Sequence, residues 1–266
     1  MAISKRILCG WNNQLSEAIL KVGTPEFPNS LVSSLRQLVD FDLCMVFAYG
    51  EVEGSVSLHY DMPDDQAAFL VKEYLTGPHL LDPFFEAATS GKVSGFNSMR
   101  ELAPDQFYRS EFYRHHYVRT RIADEMGIFF PVGHGRIAVL SITRQKPKGL
   151  FSEVEKEIFQ STALLVEALG SNHWGDSPKD IGITSSSIKI KQVFDRFGEN
   201  VLTQREREII TLVLKGHSSF SIGLVLGIAP GTVKIHRKNA YKKLTVSSQA
   251  ELFALFLSSL EVNLKH

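Results

Sequence analysis

The chain has 266 residues, of which 44% are hydrophobic and 22% charged, a composition typical of a globular protein. Its two cysteines are too few for a disulfide framework, no apolar run reaches the roughly 20 residues that span a membrane, and the first ten residues lack the apolar core of a secretion signal. We therefore expect a protein of the reducing cytoplasm that makes no contact with a membrane.

The net charge of zero hides a difference between the two ends of the chain. Residues 1–200 hold 20 Lys/Arg and 25 Asp/Glu, a net of −5, whereas residues 201–266 hold 9 and 4, a net of +5. A basic segment attracts polyanions, so we expect only the C-terminal part to contact nucleic acid.

The first 170 residues contain a mixture of helical and strand-like patterns. In chain order the predicted elements are helices 11–22 and 29–40, strands 43–49 and 55–60, helices 64–75, 83–89 and 104–116, strands 123–132 and 136–143, and helix 152–169. This order predicts an α+β domain in which an antiparallel sheet is flanked by helices. Such a layout leaves room for a ligand pocket between the sheet and the middle helices.

The segment SNHWGDSPKDIGITSSS, residues 171–187, is rich in Gly, Ser, Asp and Pro and predicts a linker. Residues 188–197 form a short helix in this interpretation. The chain is thereby divided into a regulatory domain at 1–170, a linker at 171–198 and a DNA-binding domain at 199–266.

Four helices are predicted in the C-terminal domain. Thr203 caps the first and Glu206 completes its capping box. The second covers 218–226, the turn 227–230, the third 231–244 and the fourth 247–257. Exposed apolar residues on the fourth helix would pair two copies of the chain, which predicts a homodimer.

The third of these helices has two chemically different faces. At 100° per residue, Val233, Ala240 and Leu244 share the side that faces the core. Lysines on the other side would neutralise phosphates of double-stranded DNA, and Ile235 would contact a thymine methyl. The candidate DNA-binding residues are Thr232, Lys234, Ile235, Arg237, Lys238 and Lys242.

This segment resembles the LuxR-type helix-turn-helix family over about 55 residues. The matching residues are Leu202-Thr203-x-Arg205-Glu206-x-Glu208, Gly216, Leu226, Gly231-Thr232-Val233-Lys234-x-His236, and Lys243-Leu244 before Val246. The resemblance implies a sequence-specific transcription regulator of the bacterial cytoplasm, associated with the nucleoid. Phe220-Ser221-Ile222-Gly223 stands where the family usually has Lys-Glu-Ile-Ala.

The N-terminal segment resembles the GAF/PAS-like autoinducer-binding domain of quorum-sensing regulators. Tyr74, Asp82-Pro83, Phe96 and the strand that ends in Ser141 follow in the family's order. The resemblance implies that Asp82 accepts a hydrogen bond from a ligand amide, that Ser141 is a second polar anchor and that Tyr74 and Phe96 are walls. Phe47 is a further candidate for the lining.

The sequence does not identify the effector. The tryptophans that the family places around its ligand are absent, with Phe96 in the place of one and Leu70 near the other. An acyl-homoserine lactone and a different small molecule both remain candidates. Asp82 also has a purely structural interpretation as the N-cap of helix 83–89. No cofactor and no metal are predicted.

Two other functions compete with a ligand-controlled regulator. One is a ligand-independent DNA-binding regulator whose N-terminal domain binds a protein partner or only dimerises. The other is an enzyme, suggested by the ionisable residues His79, His115, His116, His134, Asp124 and Glu125. Their spacing matches no metal or acid–base motif, and arginines surround the paired histidines. We therefore predict a surface helix with solvated His and Arg side chains, and no enzyme.

Overall fold

The structure is a computed structural model, and it describes residues 4–50, 54–91, 93–175, 193–194 and 196–263. It confirms the predicted α+β class, because a five-stranded antiparallel sheet is followed by a helical C-terminal region. Most of the predicted linker, and most of the helix predicted at 188–197, lie outside the described residues.

The sheet has the order β2-β1-β5-β4-β3, and every neighbouring pair is antiparallel. Its strands are β1 Leu43–Tyr49, β2 Val56–Asp61, β3 Gly95–Ser98, β4 Ile122–Val132 and β5 Arg136–Gln145. Every residue of β1 is buried, because helices cover both faces of the sheet. Strand β3 was not predicted, since four residues are too few to display an alternating pattern.

One face of the sheet, here called the outer face, packs against the helices at the two ends of the domain. These are α2 Phe27–Arg36, α7 Glu153–Ser161 and α8 Ala163–Trp174, and α1 Lys5–Leu20 packs against α2. The capping box predicted by Ser152 and Glu155 is present at the start of α7. The single helix predicted over 152–169 is wrong, because it breaks at Thr162, and α8 then continues to Trp174, inside the predicted linker.

The opposite, inner face packs against short helical segments from the middle of the chain. They are α3 Asp64–Ala67 with its π-helical continuation Ala68–Glu73, the 3₁₀ turn Pro78–Leu81, α4 Pro83–Thr89, α5 Met99–Leu102, the 3₁₀ turn Phe107–Arg109, and α6 Glu111–Tyr113 with its π-helical continuation Arg114–Val118. The helix predicted over 104–116 is therefore divided. Ser110 is extended there and caps a new helix by accepting from the backbone N–H of Tyr113.

Four helices form the C-terminal region, as predicted: α9 Gln204–Leu214, α10 Ser219–Leu226, α11 Pro230–Leu244 and α12 Gln249–Asn263. Thr203 and Glu206 make the predicted capping box, and Gly227 ends α10 with a φ of 64°. Within the described ranges no single helix is long and apolar enough to cross a membrane, although α10 and α11 pass that test of length and composition as a bent pair.

Candidate DNA-binding surface and regulatory-domain site

Helix α11 presents the predicted polar face to solvent. Val233 and Ala240 are fully buried, so they fix which side of the helix meets the core. Lys234, Lys238 and Lys242 are exposed on the other side. Ile235 lies among them with 61% of its surface exposed, a large value for an isoleucine.

The remaining two candidates on α11 lie at the margins of this face. Thr232 and Arg237 are half-buried, and the Arg237 guanidinium lies 5.1 Å from the centre of the Tyr241 ring. Leu244, predicted to face the core, is half-buried. The structure therefore brings all six candidate DNA-binding residues to one helix, with four of them exposed.

Gly223 in α10 has a packing role that its helix propensity does not indicate. A Cβ at this position would lie 2.7 Å from the carbonyl oxygen of Ile228, in the turn before α11. The missing side chain thus lets the turn approach α10 closely. Phe220, one turn earlier in the same helix, has 64% of its surface exposed.

In the N-terminal domain, Asp82 lies at the centre of a buried hydrogen-bonded group. Its Oδ1 accepts from the backbone N–H of Phe84 at 2.8 Å, as the N-cap of α4, and its Oδ2 accepts from the Tyr74 hydroxyl at 3.1 Å. The Tyr49 hydroxyl lies 2.8 Å from that of Tyr74. Asp82 therefore acts as a helix cap and is also part of a polar cluster.

Of the other predicted lining residues, two lie at this cluster and one lies on the opposite face of the sheet. Phe47 belongs to it, since its ring centre is 5.0 Å from that of Tyr74. Ser141 lies on the inner face of β5 and hydrogen-bonds Glu125. Phe96 is not part of it. Phe96 projects from the outer face of β3, where its ring packs 6.1 Å from that of Phe159.

Glu125 and Thr143 are inner-face residues that sequence reasoning did not place at this site. They are directly opposite each other on β4 and β5. The Tyr117 hydroxyl donates to Glu125 Oε2 at 2.6 Å. Strand alternation could have indicated Glu125, because it shares a face with Gly127 and Phe129 in an apolar strand.

The two carboxyl groups of this cluster have strongly shifted titrations. Burial raises the pKa of Asp82 to about 6, although the Phe84 N–H and the Tyr74 hydroxyl act in the opposite direction. Burial raises the pKa of Glu125 to about 8, and the nearby Asp82 charge contributes to this rise. Among the described residues, no Lys or Arg forms an ion pair with either carboxyl.

The expectation of a solvated histidine helix is wrong for His116. This side chain is buried, and its ring centre is 5.0 Å from that of Tyr74. His79 is buried as well, with Nδ1 3.1 Å from the Tyr74 carbonyl oxygen. Burial lowers the pKa of His79 to about 4 and that of His116 to about 3, so both rings are neutral at pH 7. Within the described part of the chain, no group of three or more His, Cys, Asp or Glu is arranged to hold a metal ion.

Comparisons with known proteins agree with the helix-turn-helix geometry. The family model for bacterial regulatory proteins of the luxR family matches residues 200–256. An HTH-type transcriptional regulator in the exeN 3′ region of Aeromonas salmonicida is 33% identical over 187 residues, which cover 67% of this chain and 94% of that protein. The chain belongs to the LuxR family.

Two further similarities each cover part of the chain. The transcriptional regulatory protein MctR of Rhizobium johnstonii is 44% identical over 55 residues, 21% of this chain and 26% of that protein. The crystal structure of the VqsR LBD domain from Pseudomonas aeruginosa covers 60% of this chain and 93% of that chain, with a TM-score of 0.53 and 21% identity. The latter likeness shows a shared fold.

This LuxR-family chain is thus a DNA-binding transcription regulator. The prediction of a regulator rather than an enzyme is confirmed by the family and by its relatives.

The helix-turn-helix region packs directly on the N-terminal domain. Gly216, which follows α9, approaches Phe107 so closely that a Cβ there would lie 2.8 Å from the Phe107 Cα. Three polar contacts accompany this approach. They are Gln106 N–H to the Gly216 carbonyl at 2.9 Å, Ser218 N–H to Asp105 Oδ1 at 2.9 Å, and Lys215 Nζ to Glu86 Oε1 at 3.0 Å.

Helix α12 takes part in the same contact, which corrects the expectation that its apolar face is exposed. Leu252 and Phe256 are fully buried, and the Phe256 ring packs against that of Phe197. Phe253 lies against His115, with ring centres 5.6 Å apart, and Leu260 packs over Gly77. Leu255 is the exception, with 37% of its surface exposed.

Proposed function

We propose that this LuxR-family regulator is controlled by a small molecule that binds beside Asp82 in the N-terminal domain. The observation that carries the proposal is the buried polar cluster of Asp82, Tyr74, Tyr49, Glu125 and Ser141. Buried polar groups cost free energy unless they are hydrogen-bonded, and in the free protein these groups pair with one another. A ligand with matching donors and acceptors would exchange with these internal partners. Phe47 supplies an apolar wall at the same place.

We also propose that α11 enters the major groove of DNA. Lys234, Lys238 and Lys242 would contact phosphates, and Ile235 would contact a thymine methyl. Thr232 and Arg237 would contact the backbone from the margins of the helix. Helix-turn-helix proteins usually bind as dimers to two half-sites, so we infer that two copies bind one operator.

Ligand and DNA sites communicate in this proposal through two short segments. The segment from Tyr74 to Asp82 contains Gly77, which packs against Leu260 of α12. The π-helical segment Arg114–Val118 contacts Tyr74 through His116 and Phe253 through His115. A ligand that displaces either segment would change how α12 docks, and so bias the position of the DNA-binding region.

The test uses the full chain, stripped of small molecules, and a DNA fragment that the protein itself enriches from its host genome. We expect at least one fraction of host metabolites to raise the melting temperature and to change the DNA affinity. Ser141→Ala removes one polar anchor and should reduce both responses, whereas the exposed control Ser33→Ala should retain them.

One outcome would contradict control by a small molecule. If no fraction changes the melting temperature or the DNA affinity, and the stripped protein binds its fragment tightly, the regulator is independent of ligand.

A further inference from the structure

The inner face of the sheet contains a polar row that the helix cap of Asp82 does not explain. Glu125, on β4, stands opposite Thr143, on β5, and Ser141 is two residues further along the same face. Directly opposed residues of antiparallel strands have Cβ atoms about 5 Å apart. The carboxyl of Glu125 and the hydroxyl of Thr143 therefore share one space inside the domain.

Thr143 is the informative member of this row. Its side chain is 0% exposed, and its hydroxyl has no hydrogen-bond partner among the residues that the structure describes. A buried hydroxyl without a partner costs about 1–3 kcal/mol. A threonine at this position is consequently unfavourable in the free protein, and a ligand that pairs with its hydroxyl removes the penalty.

The two carboxyl groups near the row have no basic partner among the described residues. Asp82 and Glu125 are both buried, and neither forms an ion pair with a Lys or Arg of the described residues. The histidines nearest to them, His79 and His116, are buried beside Tyr74 and carry no charge at pH 7. The protein thus leaves a position for positive charge unfilled.

Aromatic side chains lie beside both carboxyl groups, Tyr74 at Asp82 and Tyr117 at Glu125. The Phe47 ring is 5.0 Å from that of Tyr74 and 6.0 Å from that of Tyr49, while Tyr117 donates to Glu125. The negative faces of aromatic rings attract cations, most strongly where water is excluded. Carboxyl groups together with aromatic rings are therefore suited to an organic ammonium ion.

A pocket of about 380 Å³ opens near this row, further along the inner face of β5. Its wall includes Gln145, which lies two residues beyond Thr143 on the same face of β5, about 7 Å away at the rise of a strand. Phe69 and Leu70, on the π-helical segment, form its apolar side. Arg119 and Arg121 are also in the wall. Arg119 stacks on Phe69 and pairs with Glu73, and Arg121 is exposed to solvent.

We propose that the effector is an organic amine whose ammonium group binds between Glu125, Asp82 and the Thr143 hydroxyl, with its apolar body in the pocket beside Phe69 and Leu70. This inference rests on the proposed control by a small molecule and names the chemical class of that molecule. The Thr143 hydroxyl accepts a hydrogen bond from the ammonium group, and Asp82 provides a counter-charge. Glu125 adds a second counter-charge by releasing its proton to water as the ammonium binds.

The test uses the full chain and matched probes that differ only in charge. Hexylamine is compared with 1-hexanol, and 2-phenylethylamine with 2-phenylethanol. At about ten times its dissociation constant, an amine should raise the melting temperature by roughly 2–4 °C, whereas the alcohol of the same skeleton should leave it unchanged.

Two isosteric variants locate the ammonium group. Glu125→Gln should weaken amine binding about tenfold or more, since it removes a charge-assisted hydrogen bond. Thr143→Val should raise the melting temperature of the free protein and also weaken amine binding about threefold to tenfold. A hydroxyl with a merely structural role would not give these two effects together. The exposed control Glu157→Gln should bind as the wild type does.

Three results would overturn the inference. They are equal shifts from amine and alcohol, no shift from either amine, and amine binding that Glu125→Gln leaves unchanged. If a metabolite fraction still stabilises the protein in any of these cases, control by a small molecule stands and its ligand is not an amine. If no fraction acts either, both proposals fail.

Discussion

The DNA-binding face of α11 and the acidic cluster around Asp82 are assembled in opposite ways. The residues of the first lie on one helix within eleven positions, and four of the six are exposed. The residues of the second come from β1, α4, β4, β5 and a π-helical segment, and all are buried. A site carried by one helix follows from local periodicity, whereas a site carried by five elements depends on how the sheet is ordered.

The two regions meet at α12, so the largest expected effect is at that junction. Phe253 is buried against His115, and Phe253→Ala should lower the free energy of unfolding by about 3–5 kcal/mol. Urea denaturation measures the change. Leu255→Ala, on the exposed side of the same helix, is the control and should cost less than about 1 kcal/mol.

The same pair of variants tests whether α12 is docked on the N-terminal domain. If Phe253→Ala costs no more than Leu255→Ala, α12 is not docked on the N-terminal domain, and the two regions fold as independent units.

The acidic cluster makes a prediction about pH that the DNA-binding face does not. Since the pKa of Glu125 is raised to about 8 in the folded protein, the folded state holds a proton at pH 7 that the unfolded chain releases. Stability therefore falls as pH rises through 8. Between pH 7 and 8 the loss from this one group is about 1 kcal/mol.

Glu125→Gln isolates this contribution. The free energy of unfolding of the wild type should decline across that interval relative to the variant, and urea titrations at both pH values measure the difference. His79 and His116 do not interfere, because their pKa values are lowered and their effect on stability ends near pH 6.5. Parallel pH profiles for wild type and variant would mean that Glu125 is not desolvated.

Sequence reasoning succeeded where one element carries the feature. The caps by Thr203 and Ser152 and the buried positions Val233 and Ala240 all follow from spacing within a helix. The prediction that groups Asp82 with Tyr74 depended on a family resemblance, and the structure brings the two into hydrogen-bond contact.

It failed where a neighbouring strand decides which way a side chain points. Phe96 lies on β3, a four-residue strand whose register with β4 turns the ring to the outer face. A shift of one residue would reverse its direction, and no local pattern fixes that register. His116 was misplaced for a similar reason, because its π-helical segment is not a regular amphipathic helix.

For the DNA-binding face we expect an effect of moderate magnitude. Lys234→Ala or Lys238→Ala should each weaken DNA binding by about 1 kcal/mol and reduce the slope of log affinity against log salt by about one unit, since one phosphate contact is lost. Fluorescence anisotropy at several salt concentrations measures both quantities. Lys156→Ala changes the net charge equally but lies on α7, and it should leave the slope unchanged.

An unchanged slope for both variants on α11 would mean that this face does not meet the phosphates. Helix α11 would then be a solvated surface helix rather than a DNA-binding site.

The smallest effect concerns two glycines for which helix propensity makes the same prediction. Propensity alone predicts that alanine at Gly223 or at Gly231 stabilises the protein by up to about 1 kcal/mol. The contacts differ, because a Cβ at Gly231 meets nothing within 4 Å, whereas at Gly223 it would lie 2.7 Å from a backbone oxygen. We expect Gly231→Ala to raise the free energy of unfolding and Gly223→Ala to lower it by about 1 kcal/mol, as overpacking does. Urea denaturation of the two variants gives the signs. A stabilising Gly223→Ala would show that the turn before α11 yields, and that Gly223 is a weakness of α10 rather than a condition for the close approach of the two helices.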